Sequence, residues 1–425
     1  MAVELVQTSM KDETHQYLIQ SDAVLFGVLA TILGLVFYTK QSQHPFWVKF
    51  YTFVPALLMC YLLPSFLTTF GLVDPDASNL YYMASRYLLP AALVLLTLSI
   101  DLKGIIRLGP KAGIMFFTGT LGIVIGAPIA FLATRALYPD AFAASGAEEI
   151  WRGMTTLAGS WIGGGANQAA MKEVWEVSDA AFTQMVAIDV VWTNIWMAIL
   201  LLMAARAAKI DARTGADVEA IERIKLKMET FQKEHSKAVT LPDLVFMAAI
   251  AFGLTGLSHA IANWLGPAIK DHLPLLAEFN LDSTFFWLVI LATIGGVVMS
   301  FTRAKRLEGV GASGVGSLFV YMLVATIGLK MDVTQIKPFL FVIGGIWIAT
   351  HAILLLVVGK LIKAPVFFLA VGSQANVGGA ASAPVVASAF HSALAPVGVL
   401  LAVLGYVVGT SAAMLTGIIL QSLAG

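Results

Sequence analysis

Gly159-Ser160-Trp161-Ile162-Gly163-Gly164-Gly165-Ala166-Asn167-Gln168-Ala169-Ala170 begins with a glycine–serine pair and sets an alanine–asparagine pair behind three consecutive glycines. The second half of the chain echoes it as Gly372-Ser373-Gln374-Ala375-Asn376-Val377-Gly378-Gly379-Ala380-Ala381-Ser382, again with a glycine–serine start and an alanine–asparagine pair inside a glycine cluster. Glycine is costly inside a helix, and a cluster of it breaks one. Both stretches lie in apolar surroundings, where unwound backbone is tolerated only if protein buries it or it lines a wet cavity. Matching interrupted segments in two halves of a membrane chain point to the binding site of a secondary transporter.

Composition agrees with a membrane setting. The chain has 425 residues, 58% hydrophobic and 12% charged, with mean hydropathy +0.83. Soluble domains carry about 25% charged residues. The apolar residues fall in long runs without the alternation of a transmembrane β-barrel, so the fold class is an all-α polytopic membrane protein. Lys+Arg and Asp+Glu number 26 each, which gives no field for nucleic acid. The single cysteine, Cys60, reads as a small buried hydrophobe. Glu4, Lys11, Asp12, Glu13 and His15 crowd the start, which lacks the pattern of a signal peptide, so the first apolar run reads as a retained span.

A transmembrane helix needs about 20 mostly apolar residues. Such runs fall at Asp22–Tyr38, Phe50–Phe70, Leu80–Ile100, Lys111–Ala136, Trp151–Met171 and Ala180–Ala205. After a polar linker they recur at Leu241–Leu265, Thr284–Phe301, Gly311–Leu329, Pro338–Leu361, Pro365–Phe390 and Ala393–Leu423. The glycine-broken run is fifth in each set. Cytoplasmic loops carry Lys and Arg. Lys40, Lys49, Lys103, Arg107 and Lys111 place the first and third loops inside, and Asp74 and Asp76 place the second outside. Six crossings would then put the linker outside, although it holds Arg206, Lys209, Arg213, Arg223, Lys225, Lys227, Lys233 and Lys237. One run must therefore turn back, and the glycine-broken one is the candidate. The expectation is about ten spanning helices plus two glycine-broken segments, with both termini outside. A rival keeps the two broken segments as crossing helices. The chain divides into a first inverted repeat over 1–205 (broken segment 151–171), an amphipathic cytoplasmic linker over 206–240 and a second inverted repeat over 241–425 (broken segment 365–390). In the linker Val218, Ile221, Ile224, Met228 and Phe231 recur at helical spacing. Val190–Met197 resembles Val407–Met414, with Tyr406 where Asp189 would align.

Asp189 is the sharpest single residue. It stands about 14 Å into its helix at 1.5 Å per residue, near the middle of a hydrocarbon core about 30 Å thick. A carboxylate there costs about 2.5–3.5 kcal/mol to insert and usually serves ions or protons. It is the candidate ion-coupling group and possible sodium ligand; the structural alternative is a pair with Arg86 or His351. Thr193 and Asn194 lie one turn on, with Thr410 in the matching place of the second half. Ser160, Gly163, Gly164, Asn167 and Gln168, with Ser373, Gln374, Asn376, Gly378 and Gly379, are the candidate solute site. Amides and unwound carbonyls can ligate sodium or hold a carboxylate, and half-helix N-termini add positive dipole ends. The bland alternative is that these amides cap the broken helices. Arg86 reads as snorkelling, Glu173 and Glu176 as solvated rim, and His351 as a satisfied buried histidine.

The chain has no H-E-x-x-H, Walker A or G-x-S-x-G motif and no metal-ligand cluster among its seven histidines and one cysteine. It therefore reads as no enzyme and as needing no cofactor beyond Na+ or H+ as coupling ion.

Gly159 to Asn167 and the run Asn376 to Ala381 resemble an uncharacterised bacterial membrane family, "domain of unknown function 819", over nearly the whole chain. That family looks related to the cation–proton antiporters, bile-acid sodium symporters and sodium/glutamate symporters. The resemblance implies inverted repeats, a scaffold with a mobile core, elevator-like motion, a homodimer in the bacterial inner membrane, and an acid beside the broken elements, a place Asp189 fills. The paired acids of the antiporters have no obvious counterpart here.

The expected function is a sodium- or proton-coupled secondary transporter of a small organic anion or amino-acid-like solute. One alternative is a cation/proton antiporter without organic solute. Another, of a different class, is an intramembrane enzyme using Asp189 and His351 as acid and base, which requires them within reach of each other.

Overall fold

A computed structural model describes residues 17–54, 56–98, 100, 105–106, 108–216, 221, 239–273, 281–331, 337–391 and 394–424. Among these every regular element is a helix, and one isolated β-bridge joins Ile19 to Val73. Val218, Ile224, Met228 and Phe231 of the linker lie outside the described residues.

The first half gives α1 (Asp22–Gln41), α2 (Ala56–Thr69), α3 (Leu80–Leu98), α4 (Pro110–Leu137), α5 (Ala147–Val174) and α6 (Asp179–Ala204). The second gives α7 (Leu241–His272), α8 (Thr284–Ser300), α9 (Ala312–Gly328), α10 (Phe341–Leu361), α11 (Val366–Val377), α12 (Gly379–Phe390) and α13 (Ala395–Ala424). Among the described residues seven helices are long and apolar enough to cross a bilayer, or nine if each of two bent pairs is one span; α9 is shorter at 17 residues. This is an all-α polytopic membrane protein.

Both glycine-broken segments are hairpins. In α5, Gly164 takes φ 72° and ψ −174°, a conformation that ends one helical arm and starts another. Trp151 and Trp175 are 24 positions apart in sequence, which a continuous helix would hold about 36 Å apart. Their ring centroids are 5.2 Å apart, so the two arms run back along each other. Arg152 Nη1 closes the open end by donating to the Trp175 carbonyl at 2.6 Å. The second hairpin is α11 and α12, with Gly379 at φ 57° in its turn. Phe367 and Phe390 meet at its open end with centroids 5.2 Å apart. The two turns touch: a Cβ added to Gly379 would lie 3.6 Å from the Cα of Gly164. The rival reading, of broken helices that cross, is thereby corrected.

The helices sort into two packed bodies. In one, α3 packs on α7, α8 and α9, α2 packs on α1 and α9, and α7 packs on α8. In the other, α4 packs on α10, α11 and α13, while α5 packs on α6, α11, α12 and α13. Large aromatic side chains fill the second body, with Trp151, Trp161, Trp175 and Trp347 fully buried. The first body is thinner. Every residue from Leu89 to Leu98 is buried at its centre, whereas only 22% of the apolar window of α1, and likewise of α7, is covered by protein. Those bare faces suit lipid. Contacts between the bodies run mainly from α5 and α13 to α3 and α8.

Candidate functional site

Asp189 sits ten positions past the first residue of α6, and its side chain is buried. Ser178 caps that helix by accepting from the Ala181 amide at 3.2 Å, which fixes where α6 begins and so the depth of Asp189. Hairpin 1 grips the carboxylate with both arms. From the first arm Ser160 Oγ donates to Oδ2 at 2.6 Å and Trp161 Nε1 donates to Oδ1 at 2.8 Å. From the second arm Gln168 Nε2 donates to Oδ2 at 3.4 Å. Thr193, one turn along α6, donates to Oδ1 at 2.8 Å. Each carboxylate oxygen thus receives one hydroxyl and one N–H. Desolvating an anion costs several kcal/mol, and the four convergent donors offset part of that cost. The hydroxyl of Tyr61, on α2 in the other body, donates to Gln168 Oε1 at 3.4 Å and links that body to the Asp189 shell.

The two asparagines make a matching three-point clip. Asn167 Nδ2 donates to the Gly163 carbonyl at 2.9 Å and to the Tyr406 carbonyl at 3.5 Å, while Thr410 donates to its Oδ1. Asn376 Nδ2 donates to the Gly372 carbonyl at 2.9 Å and the Phe116 carbonyl at 3.0 Å, while Thr120 donates to its Oδ1 at 2.7 Å. Each clip takes a carbonyl one turn back, a carbonyl on a neighbouring helix, and a hydroxyl one turn further along that neighbour. One neighbour is α13 and the other is α4. Both amides are fully buried and satisfied, so they pin the hairpin arms beside the turns.

Ser373, the counterpart of Ser160, meets a histidine. His351 Nε2 lies 2.7 Å from Ser373 Oγ, and Trp196 Nε1 donates to the same Oγ at 2.8 Å. Gln374 Nε2 donates to Ser382 Oγ at 2.7 Å across the second hairpin, and its Oε1 is buried without a partner. Gly378 sits under that bridge, and Gly163 packs on Asn167 and on the Gly405 carbonyl.

Of the residues expected at the site, the fold brings Ser160, Gln168 and Thr193 to Asp189. Asn194 bonds back to the Val190 carbonyl at 2.7 Å instead, and Thr410 serves Asn167. Asp189 and His351 share no hydrogen bond, because His351 Nδ1 faces the Gly119 carbonyl at 3.0 Å and Nε2 faces Ser373. Trp161, Tyr61 and Trp196 were not expected there. Trp161 had a signal, as an indole N–H beside Ser160 in the unwound stretch; Tyr61 had none.

Glu173 departs from the rim reading. Its side chain is 12% exposed and accepts from Arg86 Nη1 at 2.5 Å and from the Tyr81 hydroxyl. Arg86 therefore does not snorkel. Its guanidinium lies 4.3 Å from the Phe285 ring centroid and ties α3 to the second arm of hairpin 1. Arg86 belongs to a π-helical turn, Ala84–Leu88, and its carbonyl meets His259 Nε2 of α7 at 2.9 Å. Glu176 is exposed, as expected of a rim residue.

Residues 24–423 match the family model described as a protein of unknown function, DUF819. A relative in Bacillus subtilis (strain 168), the uncharacterized membrane protein YjcL, is 26% identical over 349 residues, covering 79% of this chain and 83% of that protein.

Proposed function

The chain belongs to the DUF819 family, and on the shell around its Asp189 we propose that it is a cation-coupled secondary transporter of a small organic anion or amino-acid-like solute. The observation that carries this reading is a buried carboxylate, ten positions into an apolar 26-residue helix, held by both arms of a glycine-broken hairpin. A charge at that depth is costly and is retained where it serves an ion or proton pathway. Oxygens suited to sodium are at hand in the carboxylate, Ser160 and Thr193, and the same groups can serve a proton. The two half-helices that start at the touching turns bring free backbone N–H groups and positive dipole ends, which suit a carboxylate on the solute.

Two packed bodies joined mainly through α5 and α13 support an elevator-like motion of the hairpin-bearing body against the other. Pairing of α3 with α9, and of α4 with α10, supports two inverted repeats related by an axis between them. The setting we assign is the bacterial inner membrane, with both termini outside, as a homodimer.

The antiporter reading draws on one feature, a shell around Asp189 that is complete without any solute. The enzyme reading has less support, because both ring nitrogens of His351 are engaged elsewhere.

Thermal stability of the purified protein against sodium, potassium and pH, beside Asp189→Asn, tests the reading. A ligand that binds only the folded form stabilises it by RT ln(1 + [L]/Kd). Stabilisation by sodium or by protons that the substitution removes is the expected result, and organic anions are then screened with that ion present. An identical response of wild type and variant to every ion would make Asp189 structural and sink the coupling.

A further inference from the structure

His351 is fully buried in α10, and the functional reading above does not use it. Its surroundings fix the position of its proton. The Gly119 carbonyl, 3.0 Å from Nδ1, can only accept, so Nδ1 carries the hydrogen. Trp196 Nε1 can only donate, so Ser373 Oγ receives that bond and turns its own hydrogen to Nε2. The outcome is a one-way relay from Trp196 of α6, through Ser373 of hairpin 2, to neutral His351, and on to α4. The ring has a cradle built for it. A Cβ at Gly119 would lie 3.3 Å from His351 Cε1, and one at Gly122 would lie 3.0 Å from His351 Cα.

Ionisable groups on the elements packed against His351 are engaged elsewhere. On α4, Lys111 donates to the Lys363 carbonyl, and Arg135 lies near the other helix end, bonded to the Leu423 carbonyl. On α6, Asp179 pairs with Lys172, and Asp189 has its own four donors. No residue of α11 is ionisable, and on α10 itself Lys360 stands in the last turn.

We propose that His351 is a second proton-binding site, and that its protonation releases hairpin 2. When Nε2 takes a proton it becomes a donor. Ser373 Oγ then faces two N–H groups and must turn its own hydrogen away from the ring, and a positive charge stands between that oxygen and the Gly119 carbonyl with no carboxylate bonded to it. Burying a charge without a counter-ion is strongly unfavourable. The release is a parting of Ser373 from the imidazole, which lets hairpin 2 open and water reach the ring. Hairpin 1 answers to a different group, because its serine rests on the Asp189 carboxylate. This inference does not depend on transport, and its test does not use it.

Hydrogen–deuterium exchange of the full-length protein reads the opening directly. Rates in peptides from residues 366–390 are compared at about pH 5 and about pH 8 after correction for intrinsic exchange. If the open state protonates with an ordinary imidazole value near 6.5 and the closed state stays neutral, opening rises about thirtyfold at pH 5. Peptides from residues 284–300, which hold no ionisable side chain, serve as the internal control. His351→Gln keeps a donor and an acceptor in place and cannot titrate, so its hairpin 2 is expected to lose the pH response. Ser373→Ala, which cuts the link without touching the ring, is expected to raise exchange at pH 8 and flatten its pH dependence. A wild type with no excess exchange at low pH overturns the proposal. So does a pH response that survives in His351→Gln, or one shared equally by the control peptides.

Discussion

Asp189 offers a comparison of two substitutions whose outcomes the shell separates. In Asp189→Leu the indole N–H of Trp161 and the amide N–H of Gln168 lose their acceptor inside a buried site. The hydroxyls of Ser160 and Thr193 have an escape, since buried hydroxyls here readily bond a carbonyl one turn back, as Thr155 and Thr156 do to Arg152 and Gly153. Only the two N–H groups are then stranded, at about 1–3 kcal/mol each, for a loss of about 2–6 kcal/mol. Asp189→Asn behaves differently. Its carbonyl oxygen keeps Trp161 and Thr193, and its NH2 can be met by Ser160 turned to accept and by Gln168 with its amide reversed. The three short bonds lose their charge assistance, about 1 kcal/mol each. Removing the charge from mid-membrane returns about 2.5–3.5 kcal/mol. These terms nearly cancel, so the asparagine form is expected within about 1 kcal/mol of wild type while the leucine form is severely destabilised. Thermal unfolding in detergent, followed by tryptophan fluorescence, measures both. Equal stability of the two variants would refute the four-donor shell.

Neutralising one member of the Arg86–Glu173 pair strands the other, at a cost of about 3–5 kcal/mol for a fully buried pair, which the 27% exposure of Arg86 reduces. A double-mutant cycle with Arg86→Gln and Glu173→Gln should therefore show the double variant more stable than the sum of the singles, and strict additivity would deny the pair. Gly164→Ala places a side chain at φ 72°, ψ −174°, a backbone conformation that essentially only glycine adopts, and is expected to lower stability by about 1–3 kcal/mol in the same melting assay. Cysteines introduced at Glu149 and Glu176, in a Cys60→Ala background, should react with an impermeant thiol reagent from the same side of the membrane, because the arms of hairpin 1 return to one end; labelling from opposite sides would exclude the hairpin. Asp211, in a short helix after α6, accepts from the Val366 amide at 2.9 Å, and burial pushes its carboxyl up while that bond pulls it partly back. An acid raised on folding loses stability as pH rises from its ordinary value near 3.8 through its folded one. Asp211→Asn keeps the acceptor, so its melting temperature is expected to exceed that of wild type near pH 7 and to converge with it near pH 4.

Much of the hairpin architecture was legible because it rests on local chemistry. Glycine clusters announce breaks wherever they stand, and the basic linker after an even count of runs required one run to turn back. The burial of Asp189 was legible for a similar reason, as a carboxylate set deep in an apolar run. The partners of these groups were not legible. Asn376 finds Thr120 across 256 positions and Asn167 finds Thr410 across 243, and nothing near either asparagine names the helix it will clip. Glu173 looked solvated because it follows an apolar run. It is mostly covered because α3 brings Arg86 against it, through packing that no window of sequence contains.

The meeting of Gly164 with Gly379 has a mechanical consequence. Two turns touch through backbone alone, with no side chain of either residue to interlock. A nonbonded atom pair contributes only about 0.1–0.2 kcal/mol, so a contact of a few atoms holds with about the energy of thermal agitation. Resistance to sliding between packed helices comes from side chains that must change rotamer, and neither glycine of this contact has one. The hairpins are clamped at their arms by Asn167 and Asn376 and left smooth where they cross. What keeps the two turns together is therefore the mounting of their arms, and the glycine contact itself adds little.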